Sequence, residues 1–243
     1  CGCDVPASEE GYNCDGICID PNACNYLEAT IIDDDILILY EENFESYYVG
    51  EYIGEASSDW TTWSGSGATG TDEDGQISDE QAYSGTQSLK VFGSVAGGPM
   101  DLYFPIGLET PYDVSFKLYI PSGYSAYMNI QEQLTPGIAW AFDLVFSANG
   151  AITLSIDQVA VAYGNYNSDS WNSIHFFMSP ENDIAEIIIN GETLAIIPFD
   201  DIIGGLNLFG YGDGITEGLY YIDDVIVSDT LFFTDLETDN CEY

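Results

Sequence analysis

Apolar and polar residues alternate with a period of two along much of the chain. The alternation is clearest in Asp113–Ile120 (DVSFKLYI) and Trp171–Met178 (WNSIHFFM). Because successive side chains of a β-strand point to opposite faces of a sheet, this pattern predicts strands that are buried on one face. Glycine and proline recur too often to allow a long helix. We therefore predict that the region 36–232 is all-β.

Two Asn-Gly pairs mark predicted hairpins. Asn149-Gly150 and Asn190-Gly191 each lie between alternating apolar runs. A type I′ turn needs a positive φ at both central residues, which asparagine and glycine tolerate best. About a dozen strands in such a region predict two antiparallel sheets packed face to face, a jelly-roll sandwich.

The two ends of the chain, residues 1–35 and 233–243, differ from this region. The N-terminal segment has few large apolar residues, and a segment that cannot build a core needs covalent staples. Its cysteine spacing is typical of an oxidised extracellular module, although lipidation of Cys1 is an alternative. The predicted disulfide-forming residues are Cys1, Cys3, Cys14, Cys18, Cys24 and Cys241.

The charge balance excludes several classes of partner. The 243 residues include 42 Asp and Glu against two Lys and no Arg, a net charge of −40. Nucleic acids and anionic lipid head groups are bound by clustered Lys and Arg, which this chain lacks. No apolar run approaches the roughly 18 residues of a membrane helix. The carboxylate density favours binding of divalent cations, or alternatively only solubility in a salty medium.

The residues offer little for catalysis. The one histidine, His175, lies inside an alternating strand, and no motif of a serine or cysteine nucleophile is present. Pairs of carboxylates arise by chance among 42 acids, so they do not indicate a glycosidase. We predict that the protein is not an enzyme.

Aromatic side chains in polar stretches are the candidate ligand-binding residues, because indole and phenol rings stack on the apolar faces of sugars. For Trp60 and Trp63, the alternative is burial at one end of the sandwich, since tryptophan is usually well buried. The candidates are Trp60, Trp63, Tyr124, Tyr127 and Trp140.

Several segments within residues 41–229 resemble jelly-roll carbohydrate-binding modules. Asn43–Ser46 (NFES) and Tyr83–Val91 (YSGTQSLKV) are similar to the opening of such modules, and Leu219–Val227 (LYYIDDVIV) is similar to their last strand. The stretch from Trp171 to Gly191 is similar to laminin-G-like and concanavalin-A-like domains. The resemblance implies a glycan-binding fold.

The same resemblance implies a structural Ca²⁺ where the first and last strands meet. It points to Glu45 and to Asp223 or Asp224 as ligands, with carbonyl oxygens from the loop Ser84–Ser88. Strand alternation also predicts that one of the two aspartates points into the sandwich, where an unpaired carboxylate is costly. The alternative is a protonated or hydrogen-bonded aspartate.

The N-terminal segment resembles a repeat found in secreted surface proteins of marine Bacteroidetes. Cys18–Tyr26 (CIDPNACNY) matches the start of that repeat, which normally ends Asp-Asp-Gly-Ser-Cys-x-Tyr. Here it breaks off after Asp34, and Cys241–Tyr243 supplies the missing end. The resemblance implies that the sandwich is inserted within the repeat and that Cys241 pairs with Cys18 or Cys24. The alternative is a bridge to another copy.

The Bacteroidetes resemblance also implies type IX secretion and a secreted, cell-surface location. Thr230, in Asp229-Thr-Leu, matches the O-glycosylation pattern of exported proteins in that group. We predict an adhesive module that binds a polysaccharide or cell-surface glycan, with structural calcium. The alternative is a self-assembling subunit of a surface fibre or filament, bound to other copies of itself.

Overall fold

The computed structural model describes residues 37–108, 112–199 and 202–229. These belong to one compact unit, Leu37–Leu231. The six predicted disulfide cysteines, Thr230, the N-terminal module and the C-terminal tail all lie outside the described residues, so those predictions stay predictions. No helix among the described residues is long and apolar enough to cross a membrane.

The described chain is built almost entirely of strands, with one short helix, α1 (Ile53–Ala56), and a 3₁₀ turn at Pro180–Asn182. The strands are β1 (Ile38–Glu42), β2 (Thr61–Thr62), β3 (Gln76–Ser78), β4 (Ser88–Gly93), β5 (Asp101–Leu108), β6 (Tyr112–Tyr119), β7 (Ala126–Gln131), β8 (Trp140–Phe146), β9 (Ala151–Ile156), β10 (Val159–Asn165), β11 (Trp171–Ser179), β12 (Ile184–Ile189), β13 (Glu192–Pro198), β14 (Ile203–Phe209) and β15 (Gly218–Ser228).

The strands form two antiparallel sheets. The eight-stranded sheet has the order β13-β12-β11-β6-β15-β4-β3, and β1 pairs with the far end of β15. The seven-stranded sheet has the order β10-β9-β8-β7-β14-β5-β2. The predicted all-β sandwich is therefore confirmed.

The core is the layer between the sheets. Val114, Phe116 and Leu118 of β6 are at most 2% exposed, as alternation predicts for one face of that strand. On β11, the ring of Phe176 meets that of Phe142, from β8 of the other sheet, with 5.3 Å between centroids. Burial of each such side chain contributes about 1.5–3 kcal/mol, so this layer holds the two sheets together.

Both predicted hairpins form, but with different turns. Asn190 and Gly191 have φ of 53° and 78°, as a type I′ turn requires. At the other hairpin only Gly150 has a positive φ, and its N–H donates to the Ser147 carbonyl at 2.9 Å. The type I′ prediction is therefore wrong at Asn149-Gly150, because the connection is four residues long and glycine alone takes the left-handed position.

A bulge in β15 removes the inward-facing carboxylate that alternation predicts. The register between β15 and β6 shifts between Asp223 and Ile226, and Asp224 has a φ of 45°. The bulge leaves Asp223 opposite Lys117, on the outer face of the sheet, while Val225 returns to the core. The prediction that one aspartate points into the sandwich is wrong, because the inserted residue resets the alternation.

Asp223 is fully buried but well supplied with hydrogen-bond donors. Its Oδ2 accepts from the backbone N–H groups of Tyr83 and Ser84 at 2.8 and 3.1 Å. Its Oδ1 accepts from the N–H of Asp224 at 2.8 Å, and the Ser84 hydroxyl donates to Asp224 at 2.6 Å. Burial nevertheless raises the pKa of Asp223 to about 6. The last strand is thus joined to the loop before β4 by hydrogen bonds.

Glu45 binds the same loop in the same way. Its Oε1 accepts from the N–H groups of Thr86 and Gln87 at 2.7 and 2.9 Å, and its Oε2 accepts from the Thr86 hydroxyl at 3.0 Å. Calcium needs six to eight oxygen ligands, whereas the groups that contact the Glu45 and Asp223 carboxylates are N–H and O–H hydrogen-bond donors. No group of three or more His, Cys, Asp or Glu placed to hold a metal occurs among the described residues. These hydrogen-bond donors do not fit a cation. Calcium at Glu45, Asp223 and Asp224 stays a prediction.

We expect Asp223→Asn to lower the free energy of unfolding by about 1–3 kcal/mol, because one carboxylate oxygen becomes an NH₂ group that faces N–H donors. Urea denaturation in EDTA measures this effect with no cation contributing. Asp213→Asn is the control, because the Asp213 carboxylate also accepts backbone N–H bonds but is fully exposed. Equal stability of D223N and wild type would contradict the hydrogen-bonded role.

Candidate functional site

A groove of about 700 Å³ lies on the outer face of the seven-stranded sheet, over β7, β8 and β9. We call it the main groove. It combines aromatic, aliphatic and acidic side chains. The residues that line it are Tyr127, Glu132, Ile138, Ala139, Trp140, Asp143, Val145, Ser155, Asp157 and Gln158.

Strand alternation places polar side chains on this face. Met128 and Ile130 of β7 point into the core and are fully buried, so Tyr127, Asn129 and Gln131 point outward. Asn129 lies opposite Asp143 of β8 on one side and opposite Asn207 of β14 on the other. A polar row therefore crosses the middle of the sheet.

These side chains form a hydrogen-bonded network. The Asn129 amide donates to Asn207 at 2.7 Å, and the Asn207 amide donates to Asp101 at 2.7 Å. At the groove itself the Tyr127 hydroxyl donates to Asp143. Each amide and carboxylate is thereby held in one orientation, which gives the face a defined set of polar groups.

The loop 132–139 covers part of this network. The N–H of Gly137 donates to the Gln131 side chain at 2.8 Å, and the Tyr103 hydroxyl donates to the Gln133 carbonyl at 3.0 Å. The loop explains why Gln131 is fully buried although it points away from the core. We call this segment the covering loop.

Two tryptophans meet beside the covering loop. Trp140, at the start of β8, is 40% exposed and lines the main groove. Its ring stacks on that of Trp63, with centroids 6.0 Å apart and planes inclined by 29°. Tyr127 is the second aromatic residue that lines the groove, and its ring is held by stacking on the ring of Tyr211, with 5.8 Å between centroids.

The structure brings together three of the five predicted ligand-binding residues: Trp63, Tyr127 and Trp140. Trp60 is instead a core residue, 2% exposed, with its ring 4.8 Å from that of Phe104 and its indole N–H bonded to the Tyr40 hydroxyl. The interpretation of Trp60 as a ligand-binding residue is therefore corrected, because its indole has no open face.

The fifth candidate, Tyr124, lies in the turn between β6 and β7 and packs against the core, and it does not line the main groove.

The sequence analysis did not predict the outward-facing residues Asn129 and Asp143. The alternation in Tyr127–Gln131 (YMNIQ) carries that signal, since it sets polar residues opposite buried Met and Ile.

The groove is acidic, and none of the residues that line it is a lysine, arginine or histidine. Glu132, Asp143 and Asp157 line it, whereas the two lysines of the chain are in β4 and β6 of the other sheet. Such a site offers hydrogen-bond acceptors and stacking surfaces, and it lacks the cation that a carboxylate or sulfate group needs. His175 is also remote from it, because it bonds to Asp113 at 2.8 Å within the eight-stranded sheet.

Burial makes the acids of the network harder to ionise. It raises the pKa of Asp101 to about 7, with a smaller effect of Glu73 in the same direction and an opposing hydrogen bond from Asn207. Burial also raises the pKa of Asp143, against the hydrogen bond from Tyr127. A proton is therefore held more tightly in the folded state, so these groups contribute stability at acidic pH that is lost as pH rises through the folded pKa.

We expect the melting temperature to fall between pH 5 and pH 8.5, and Asp101→Asn to weaken that dependence. The asparagine keeps an acceptor oxygen for Asn207 but has no proton to lose. Differential scanning calorimetry across this range checks the result. Asp213→Asn, which alters a fully exposed carboxylate, should keep the wild-type slope. A wild-type slope in D101N would contradict the titration of Asp101.

No family model and no curated protein matches this chain. Among solved structures, the cellulose-induced protein Cip1 is similar over 80% of this chain and 99% of its own length, with 12% identity and a TM-score of 0.53. A sialidase matches 77% of this chain with 12% identity and a TM-score of 0.48, and the chain spans 19% of that protein. The galectin LEC-6 of Caenorhabditis elegans matches 57% of this chain and 94% of its own length, with 12% identity and a TM-score of 0.38. At such identities the similarity shows the fold alone: the chain forms a β-sandwich of two antiparallel sheets, similar to that of Cip1.

Proposed function

We propose that this protein is a non-catalytic glycan-binding module and that it binds a neutral polysaccharide in the main groove. The observation that carries the proposal is the exposed Trp140 ring beside the hydrogen-bonded Tyr127–Asp143 pair. A sugar ring presents an apolar C–H face and a rim of hydroxyls, and this groove offers a partner for each.

The charges of the groove define the class of sugar. Three carboxylates accept hydrogen bonds from hydroxyl groups, and no lysine or arginine is at hand to pair with a uronate, sialate or sulfate. Anionic glycans would also meet the repulsion of a chain with a net charge of −40. Neutral hexose or pentose polymers are therefore the expected ligands. An extracellular, adhesive setting, as the resemblances imply, belongs to this proposal as well.

We expect affinity electrophoresis to show retention of the protein by a neutral polysaccharide from a panel of β-glucan, xylan, mannan and starch. Alginate and polygalacturonate should not retain it. Trp140→Ala should weaken binding at least about tenfold, a loss of about 1.4 kcal/mol, because the stacking surface is lost.

Trp171→Ala is the matched control, since it removes a half-buried tryptophan from the other sheet and should leave binding unchanged. Failure of every neutral polysaccharide to retain the wild-type protein, or wild-type binding by W140A, would contradict the proposal.

A second candidate function, self-assembly, is favoured by the edge strand β10. Val159, Val161 and Tyr163 are 63%, 49% and 74% exposed, and residues 158–168 contain no charged side chain. Natural edge strands are usually protected by charges, and copies that each carry −40 can approach only where acids are absent. The partner we propose for this edge is a second copy of the chain, paired strand to strand.

We expect sedimentation velocity to show dimers or larger species of wild type at high protein concentration in about 0.5 M salt, where repulsion is screened. Val161→Asp should restore the monomer by placing a charge in the contact. The control is Ile215→Asp, which adds the same charge at a residue that is 85% exposed and lies outside β10. A wild-type protein that stays monomeric, or a V161D variant that still associates, would exclude this edge.

A further inference from the structure

A second groove, of about 400 Å³, lies on the same face as the main groove, beside β2 and β5. Trp63, Pro105 and Leu134 line it, together with Tyr103, which is only 1% exposed. It has the aromatic and apolar character of a sugar-binding surface, and none of the residues that line it is charged.

The covering loop is the wall between the two grooves. Ile138 faces the main groove, whereas Leu134 faces the second, and these side chains are 58% and 56% exposed. The loop rests on Trp63: a Cβ added at Gly137, which has a φ of 84°, would lie 3.1 Å from the Trp63 ring. Glycine is therefore required where the loop crosses the indole.

The tryptophan pair joins the grooves. Trp63 belongs to the second groove and Trp140 to the main groove, and their rings stack on each other. The stacked pair thus links the two grooves beside the loop. Neither tryptophan is paired with a ring that seals it into the core, in contrast to Trp60.

We propose that the second groove is a further sugar subsite, so that the protein binds an internal stretch of a long, linear, neutral polysaccharide rather than a single sugar or a chain end. This inference rests on the proposed function of the main groove. From β9 to β2 the strand order gives five spacings of about 4.8 Å, or roughly 24 Å, which is longer than one sugar ring. The bound chain would cross the strands of the sheet.

Two linked subsites have a measurable consequence. Once one part of a polysaccharide occupies the main groove, the next part reaches the second groove intramolecularly, so affinity increases without a new encounter. The gain appears only for oligosaccharides long enough to reach both grooves. Affinity must therefore rise with chain length and then level off.

Isothermal titration calorimetry tests this inference with oligosaccharides of one to eight units, taken from the neutral polysaccharide that retains the protein. Wild-type affinity should rise at least about tenfold over the series. Trp63→Ala should lose most of that rise. Trp140→Ala should bind every length more weakly.

A second variant keeps the test independent of the stacked pair. Thr135 lines the second groove and is exposed, so Thr135→Arg fills that groove without removing either indole. It should also lose the long-chain gain and keep its melting temperature. Wild-type affinity that does not increase with length, or full long-chain gain in both W63A and T135R, would overturn the second subsite. Absence of binding at any length would instead overturn the proposed function itself.

Discussion

The apolar layer between the two sheets is the interaction on which the rest of this structure depends. A chain with 42 acids and two lysines cannot be held together by ion pairs, so burial must supply the stability that opposes self-repulsion. Contacts such as Phe142 on Phe176 join one sheet to the other within this layer. Both outer faces are thereby left free to carry polar groups.

Because lysine is scarce and arginine is absent, buried carboxylates are paired mainly with other hydrogen-bond donors. Asp223 accepts bonds from the backbone of Tyr83 and Ser84, and buried Asp74 accepts bonds from the N–H groups of Gly54 and Gly70 at 2.9 Å. Backbone N–H groups thus donate the hydrogen bonds that arginine or lysine side chains donate to buried carboxylates in other proteins. Each such carboxylate ties a loop to a strand, so the acids that repel each other at the surface stabilise local structure where they are buried.

The two outer faces carry different side chains. The eight-stranded sheet holds both lysines, one paired with Glu80 at 2.7 Å and the other placed over the ring of Tyr83. The seven-stranded sheet has neither lysine, and its face combines hydrogen-bond acceptors with the ring of Trp140, which is 40% exposed. This separation of charge leaves one surface suited to neutral hydroxylated ligands. It also leaves the strand β10, which contains no charged residue, at the edge of the same sheet, where we propose that another copy pairs.

The sequence by itself determined the all-β class and the two-sheet sandwich, because alternation is a property of neighbouring residues. It also predicted Trp63, Tyr127 and Trp140 as candidate ligand-binding residues. Only the tertiary structure decided that these three lie together while Trp60 is in the core, since strand order and the path of the covering loop bring distant residues into contact. The bulge at Asp223–Asp224 and the type I′ turn at Asp157–Gln158, with φ of 50° and 64°, likewise depend on cross-strand register. The register at the bulge is set by pairing with β6, which is far away in the chain, whereas the register between β9 and β10 is set together with their turn; a pattern of period two specifies neither.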